Sequence, residues 1–330
     1  MAKTKSPNRV HLLIHANPAG KDLARLGFVD PDEYLAYIRS HLNAEFKLTF
    51  TRELFDTFED ESAGGRNDDT TRIRDLNQAL KDPATAAIVA LSGGGYLSRI
   101  LPHLNFAPLR ERKPPLLLTG FSEITSLVNL VAAYPCGRGL YWLCPNYLVW
   151  KLNPAEHARA AFAEFWRVLP KLIAGEALDG RYLPNGRIEG AVAAGTPRSG
   201  AIRVVGGCLS VLATLVGGKL FARVPLKDRW LLIEDVNEAV YRIDRYLAAL
   251  KIAGWFDQIA GVVVGDFHQR ETPDQSAAVI ELLKYHLPPQ RKLPVLTTSS
   301  LGHVWPMSPL PLNSFLKLEV VGRKFTLSGP

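Results

Sequence analysis

The sequence predicts an α/β protein, with an N-terminal Rossmann-like domain of parallel sheet and flanking helices followed by a C-terminal mixed α/β domain. Two observations carry that class. Through the first half, strand-sized apolar runs alternate with helix-sized periodic stretches, the pattern of a parallel sheet covered by helices. A segment rich in glycine, proline and charge, Gly175 to Gly186, then separates this half from one of different texture. The 330 residues also exceed the roughly 250 at which single cores stop growing. The expected division is a first domain over 1–174, a linker over 175–186 and a second domain over 187–330.

In chain order, strands are expected at Val10 to Ile14, Phe46 to Thr51, Ala86 to Leu91 and Pro115 to Thr119. Helices are expected between and after them, at Pro31 to Leu42, Asp68 to Leu80, Tyr96 to His103 and Ser122 to Ala133. Asp30 or Asp32, and Asp68 or Asp69, stand where N-caps belong. Asn153 to Ile173 forms one long helix, with Phe162, Phe165, Trp166 and Leu169 on its apolar face. Beyond the linker, Arg187 to Val205 reads as strands joined by a tight loop around Thr196 to Gly200. A buried strand from Trp230 to Ile233 ends in Glu234 and Asp235, followed by a helix over Ala239 to Ala253. The strand Ile259 to Gly265, the helix Asp274 to Tyr285, the strand Val295 to Thr298 and a strand pair near Leu316 to Leu327 complete the chain.

The composition, 47% apolar and 22% charged, excludes a disordered or fibrous protein. No apolar run reaches the roughly 20 residues of a membrane span. The basic start, Met1 to Arg9, leads into a short apolar stretch broken by His15, Asn17 and Pro18, which is neither a signal peptide nor an anchor. The cysteines Cys136, Cys144 and Cys208 lack CxxC spacing and indicate no disulfide framework or zinc site, so the cytoplasm is the expected location. A net charge of +7 could suggest nucleic acid, but the basic residues are interleaved with acids and make no longer cluster than Arg110 to Lys113. A cationic surface that draws in an anionic small substrate is the expectation.

In parallel sheets, reactive groups gather beyond the carboxyl ends of strands. Ala90-Leu91-Ser92-Gly93-Gly94-Gly95-Tyr96 runs from a strand into consecutive glycines, which let backbone approach a ligand and aim N–H groups at an anion. A tight structural turn is the plain alternative. A dinucleotide loop is disfavoured by incomplete GxGxxG spacing and the lack of an acid about 20 residues on. Leu118-Thr119-Gly120-Phe121-Ser122-Glu123-Ile124 has the shape of a nucleophile elbow, but Ile124 stands where GxSxG needs its second glycine. On local logic Ser122 is an N-cap by default and a nucleophile by alternative. Glu234 ends a buried strand and His303 follows Gly302. A serine needs a base near neutral pH, and a histidine base needs an acceptor to fix its tautomer. Singly, each also has a plain role as a surface carboxylate or a structural histidine. His15, after the first strand, is a possible site neighbour.

Taken together and in order, these junctions resemble the LD-carboxypeptidase family of serine peptidases, which also contains the microcin C self-immunity peptidases. The resemblance runs from about Val10 to the C-terminus. Arg66 to Arg72 with Asp75-Leu76-Asn77 is similar to the family's helix start, and Gly120 to Thr125 to its elbow. Gly206-Gly207-Cys208-Leu209 resembles its Gly-Gly-Asn-Leu, and Leu232 to Glu238 its charge-relay strand; Tyr241 to Arg245 and Leu301-Gly302-His303 also match. The resemblance implies a Ser122, Glu234 and His303 triad, with the nucleophile on the first domain and its partners on the second. It also implies an oxyanion hole from the backbone N–H groups of Glu123 and of Gly94 or Gly95, and substrate contacts at Tyr96, Ser98 and Cys208. It implies no metal or cofactor, and it implies a homodimeric assembly. The implied reaction is release of terminal D-alanine from a muropeptide tetrapeptide in peptidoglycan recycling, through an acyl-enzyme. The chain departs from the family's Arg-Gly-Gly-Tyr-Gly, since Gly93 stands in place of the arginine and Leu97 in place of the last glycine. Cys208 replaces an asparagine, Glu123 an aspartate, and Cys144 stands before Pro145 where glycine is usual. These departures keep open a different amide substrate, such as a peptidyl nucleotide, or a catalytically silent binding module. An α/β-hydrolase shares the order serine, acid, histidine but requires GxSxG.

Overall fold

The computed structural model describes residues 7–16, 20–55, 60, 62, 64–153, 155–176, 187–268 and 274–329. Most of the expected linker, from residue 177 to its end, lies outside them. The chain divides into two compact units, Met1–Leu183 and Pro184–Pro330, both of α/β construction as the sequence predicts. Among the described residues, no helix is long and apolar enough to cross a membrane.

In the first unit the strands are β1 (Arg9–Leu13), β2 (Lys47–Thr49), β3 (Thr85–Ala90), β4 (Leu116–Gly120) and β5 (Gly137–Tyr141). They lie in the order β5-β4-β3-β1-β2, every neighbouring pair parallel. The helices are α1 (Gly20–Arg25), α2 (Pro31–His41), α3 (Asp69–Lys81), α4 (Thr125–Ala132), α5 (Leu148–Lys151) and α6 (Ala155–Ala174). Helix α2 starts where the sequence says it should. The Asp30 carboxylate accepts the N–H of Asp32 at 2.8 Å and of Glu33 at 2.9 Å, and Pro31 occupies the first turn, where no donor is missed. Its buried face, Tyr34, Leu35 and Ile38, packs toward α6, with the Tyr34 and Phe162 rings 5.5 Å apart. Trp142 stacks on Phe165 at 5.2 Å, placing large aromatic surfaces at the centre of this core. Strand β3 is buried at every residue, as a central parallel strand covered on both faces must be.

The second unit contains β6 (Ile188–Ala194), β7 (Gly200–Ile202), β8 (Val204–Cys208), α7 (Leu209–Leu215), β9 (Trp230–Val236), α8 (Val240–Ile252), β10 (Gly261–His268) and α9 (Ser276–His286). It ends with β11 (Val295–Thr297), β12 (Leu310–Pro311), β13 (Leu316–Val321) and β14 (Lys324–Ser328). One sheet runs β7-β13-β14-β6-β11-β10-β9-β8. Strands β8 to β11 within it are parallel, and the remainder is antiparallel. The parallel part again directs its strand ends to one side, and Glu234 and Asp235 stand there at the end of β9.

Two expectations fail locally. Tyr96 to His103 is a turn followed by a 3-10 segment at Leu101–His103, not a helix. Tyr96 holds φ 63°, outside the helical region, the Leu97 N–H is taken by a side chain from another loop, and Pro102 offers no N–H. Asp68 is the N-cap residue of α3 by position but makes no capping bond, because its carboxylate is drawn to Arg66 and Arg72 instead.

Candidate active site

In the first unit, the expected site residues gather at the carboxyl ends of β3 and β4. Phe121, next after β4, turns into the core and meets Tyr147 edge to face at 4.9 Å. With that side chain anchored, Ser122 is carried in the left-handed region at φ 58°, half-buried, and starts the 3-10 turn Ser122–Ile124 that leads into α4. A non-glycine residue held there costs on the order of 1–2 kcal/mol, and such strain persists only where the surroundings enforce it. Gly120 shows the enforcement, since a β-carbon there would fall 2.7 Å from Ile124 Cγ2 and 2.9 Å from Ala90 Cβ. The turn's N-cap is Phe121, so Ser122 stands inside the turn rather than at the capping position that local logic favours. This is the sharp strand-to-helix geometry of an elbow, achieved with Ile124 in place of a glycine.

The glycine loop lies directly against this serine. A β-carbon on Gly93 would be 3.0 Å from Ser122 Cβ and 3.2 Å from its Oγ. Gly94 is exposed with φ 141°. The Gly95 N–H donates to the Ala16 carbonyl at 3.1 Å, which ties this end of the loop to the chain after β1. The Tyr96 ring packs over Gly65, with the Arg99 guanidinium 4.6 Å from its centre, and Ser98 is exposed. The Leu97 N–H donates to Glu123 Oε1 at 3.0 Å, so the residue after the serine binds the glycine loop through its side chain. Burial raises the Glu123 carboxyl above its ordinary range, against the N–H groups of Leu97 and Ser98 and the charge of Arg72.

Beneath the loop lies a polar layer that the sequence shows only in part. The buried Arg72 donates through Nη1 to the carbonyls of His15, at 2.7 Å, and Tyr96, at 3.1 Å, while Asp68 and Asp69 pair its charge. His15 faces the Arg72 carbonyl through Nε2 at 2.7 Å, and burial pushes its imidazole down to about 4 despite Asp75 nearby. A neutral His15 therefore donates from Nε2 and belongs to the scaffold. Ser92, at the start of the loop, donates to the buried Asp22 at 2.6 Å, and Trp150 Nε1 reaches the same carboxylate at 3.1 Å. Sequence reasoning misses Asp22, because a single acid in a short helix carries no pattern.

A second group of the expected residues lies in the other unit. Glu234 is fully buried at the end of β9, and its Oε2 lies 2.8 Å from His303 Nδ1. Two glycines shape its seat. A β-carbon on Gly302 would fall 2.8 Å from Glu234 Oε2, and one on Gly265 would fall 2.9 Å from Glu234 Cβ. With Nδ1 donating to a carboxylate, the imidazole presents Nε2 as its basic nitrogen. Asp235 serves a different purpose. It accepts the Ser210 N–H at 2.7 Å at the start of α7, and burial followed by the charge of Glu234 pushes it up to about 6. Cys208 is buried with its Sγ 3.6 Å from Asp235 Oδ1, and burial drives the thiol far above its ordinary range. A neutral thiol therefore lies enclosed beside a carboxylate at the strand end. Among the described residues, no group of three or more His, Cys, Asp or Glu is arranged to hold a metal ion.

Comparisons with known proteins agree with this architecture. The N-terminal domain model of the LD-carboxypeptidases matches residues 28–137, and the C-terminal domain model matches residues 202–318. A Streptomyces coelicolor protein provisionally named a carboxypeptidase is 32% identical over 211 residues, covering 62% of this chain and 60% of its own length. A Bacillus subtilis protein provisionally named a murein peptide carboxypeptidase is 25% identical over 253 residues, covering 74% of this chain and 72% of its own. Among solved structures, the microcin C7 self-immunity protein MccF superposes with a TM-score of 0.70 at 17% identity, covering 100% of this chain and 98% of its own. The muramoyltetrapeptide carboxypeptidase of Oxalobacter formigenes does so at 0.65 and 18%, covering 97% and 98%. These last two likenesses are of fold.

Proposed function

Because the chain belongs to the LD-carboxypeptidase family, we propose that it is a cytoplasmic serine carboxypeptidase that cleaves an L,D-peptide bond and releases terminal D-alanine from a muropeptide tetrapeptide in peptidoglycan recycling. The observation that carries this is the buried Glu234 and His303 pair at 2.8 Å, an acid and a base of the kind a serine nucleophile requires. In the reaction, Ser122 Oγ attacks the carbonyl carbon of the scissile bond as His303 Nε2 takes its proton. Glu234 holds the imidazole and stabilises its cationic form. The backbone N–H groups of Gly94 and Glu123 receive the oxyanion. His303 then returns the proton to the departing amine of D-alanine, and water, activated by the same imidazole, releases the tetrapeptide's remainder from Ser122. Tyr96 and Ser98, on the loop that flanks the serine, contact the substrate, and the net charge of +7 favours its carboxylates. The active protein is a homodimer, which sedimentation of the purified chain checks.

The test is incubation of the purified protein with a tetrapeptide ending in diaminopimelate and D-alanine. Release of D-alanine by the wild type and none by Ser122→Ala is the expected result; no release by either, with turnover of another peptide, rejects the substrate.

Gly93 favours a second substrate for the same chemistry. Gly93 brings no cation to the point where the loop meets Ser122, so an aminoacyl sulfamoyl nucleoside, which offers a different anionic group, is the second amide substrate for this chemistry. A panel of such compounds without turnover counts against it. A silent binding module is eliminated by a fluorophosphonate probe that labels the wild type and not Ser122→Ala.

A further inference from the structure

We propose that Arg72 is a positioning residue for the reaction. With Glu123 it ties together the loops that follow three adjacent strands and so fixes the glycine loop against Ser122. This rests on the assignment of Ser122 as nucleophile.

Strands β1, β3 and β4 lie side by side, and each ends in one of the loops concerned. Arg72 Nη1 donates to His15 O, after β1, and to Tyr96 O, after β3. One residue on, the Leu97 N–H donates to Glu123 Oε1, after β4. The links are therefore continuous from the first loop to the residue beside the serine. They also hold Tyr96 at φ 63°, a conformation that a free loop would leave.

The cost of this arrangement argues for a purpose. A guanidinium taken out of water is expensive unless paired and hydrogen-bonded, and here Asp68 and Asp69 supply the pairing. Arg66 extends the brace, pairing with Asp68 and donating to Ile14 O at 3.0 Å, at the end of the same β1. Apolar side chains would fill the space, but they would leave the loop carbonyls without donors; a rigid planar fork satisfies two of them at fixed positions. Because Gly93 sits 3.2 Å from Ser122 Oγ, measured from the position its β-carbon would take, a small slide of the loop moves the Gly94 N–H relative to the developing oxyanion. A displacement of about 1 Å at such a point costs on the order of a hundredfold in rate.

The experiment measures inactivation by a fluorophosphonate, separating the maximal rate of Ser122 labelling from the probe's half-saturation concentration, in the full-length wild type, Arg72→Met, Arg72→Lys and Glu123→Ala. Amide hydrogen exchange over residues 91–99 is followed in the same samples. Arg72→Met is expected to lower the maximal labelling rate about a hundredfold, with half-saturation changed less than about threefold and faster exchange confined to 91–99. Arg72→Lys is expected to recover about tenfold of the loss, since an ammonium can still donate to either carbonyl. Removing Arg72 takes a cation away from the half-buried Asp68 and Asp69, so if Arg72→Met does not fold, Glu123→Ala decides the matter. It breaks the Leu97 link without stranding a charge and is expected to show the same pattern. Folded variants with wild-type labelling rates, or with slowed labelling but unchanged exchange over 91–99, overturn the proposal. A wild type that is not labelled at Ser122 overturns the serine-hydrolase assignment and this proposal with it; a labelled wild type with unaffected variants overturns this proposal alone.

Discussion

Gly302 stands so close to Glu234 that a β-carbon on it would lie 2.8 Å from Oε2, the oxygen that accepts from His303 Nδ1. Its φ of 116° is also one that side-chain-bearing residues rarely adopt. Both facts constrain the residue next to the proposed base. Gly302→Ala is expected to displace the Glu234 carboxylate, because that atom is held in a fully buried seat and not at the end of a solvated chain. The loss expected in kcat is about a hundredfold, the usual consequence of misplacing a catalytic group by about 1 Å. Steady-state D-alanine release, with circular dichroism to establish folding, checks it.

Glu234→Gln keeps the volume of the side chain and removes its charge. The amide cannot stabilise an imidazolium, and its NH2 group can turn toward Nδ1 and reverse the tautomer. A fall in kcat of about 10³–10⁴ is expected, with KM changed little, because the lost interaction strengthens only as charge develops on His303. An unchanged kcat would remove Glu234 from the mechanism.

Two buried groups impose opposite pH dependences on stability. His15 is pushed down to about 4, so as pH falls from 6.5 the unfolded chain takes up a proton that the folded one refuses. Its contribution is complete above about 6.5 and is lost as pH falls through 4. Asp235 is pushed up to about 6, so the folded state holds a proton that the unfolded chain releases near 3.8. Its contribution is present below that and is lost as pH rises through 6. Each can contribute a slope of up to about 1.4 kcal/mol per pH unit within its window. Urea denaturation between pH 4 and 7 is expected to show stability falling less steeply with acid in His15→Gln than in the wild type, and more steeply in Asp235→Asn. Parallel curves for the three proteins would contradict both assignments.

The sequence is most legible where a side chain advertises its environment. Asp30 before Pro31 announces a helix start, and the unbroken run Trp230 to Ile233 announces a covered strand; both stand as expected. Strand β5 is hidden because its first residues, Gly137-Arg138-Gly139, lack the β-branched signature of a strand. Those glycines are there for α4, since β-carbons on them would fall 2.0 Å from Val131 O and 2.1 Å from Val128 O. A close approach of helix and sheet thus erases the periodicity that reveals a strand. Tyr96 to His103 misleads for the opposite reason. Its spacing is helical, but a long-range bond from Leu97 to Glu123 and the positive φ of Tyr96 outweigh it. At the site, residue types identify Ser122, Glu234 and His303 as candidates, and the bond between Glu234 and His303 appears only with the fold. Gly95 and Cys208 could not be sorted by type at all, because the carbonyl that occupies one and the carboxylate that encloses the other come from distant segments.

Ser122 carries a cost that its replacement should reveal. At φ 58° a glycine is free of the steric penalty that a β-carbon brings, and the difference is about 1 kcal/mol. Ser122→Gly is therefore expected to lose hydrolysis and to gain stability by roughly that amount, reduced by the greater backbone freedom glycine has when unfolded. Ser122→Ala is expected to lose hydrolysis with no such gain, since alanine keeps the β-carbon and with it the strain. Urea denaturation of the three proteins, at matched slopes, checks the ordering. Equal stability of the glycine and alanine variants would mean that the turn is relaxed at Ser122 and holds no stored strain.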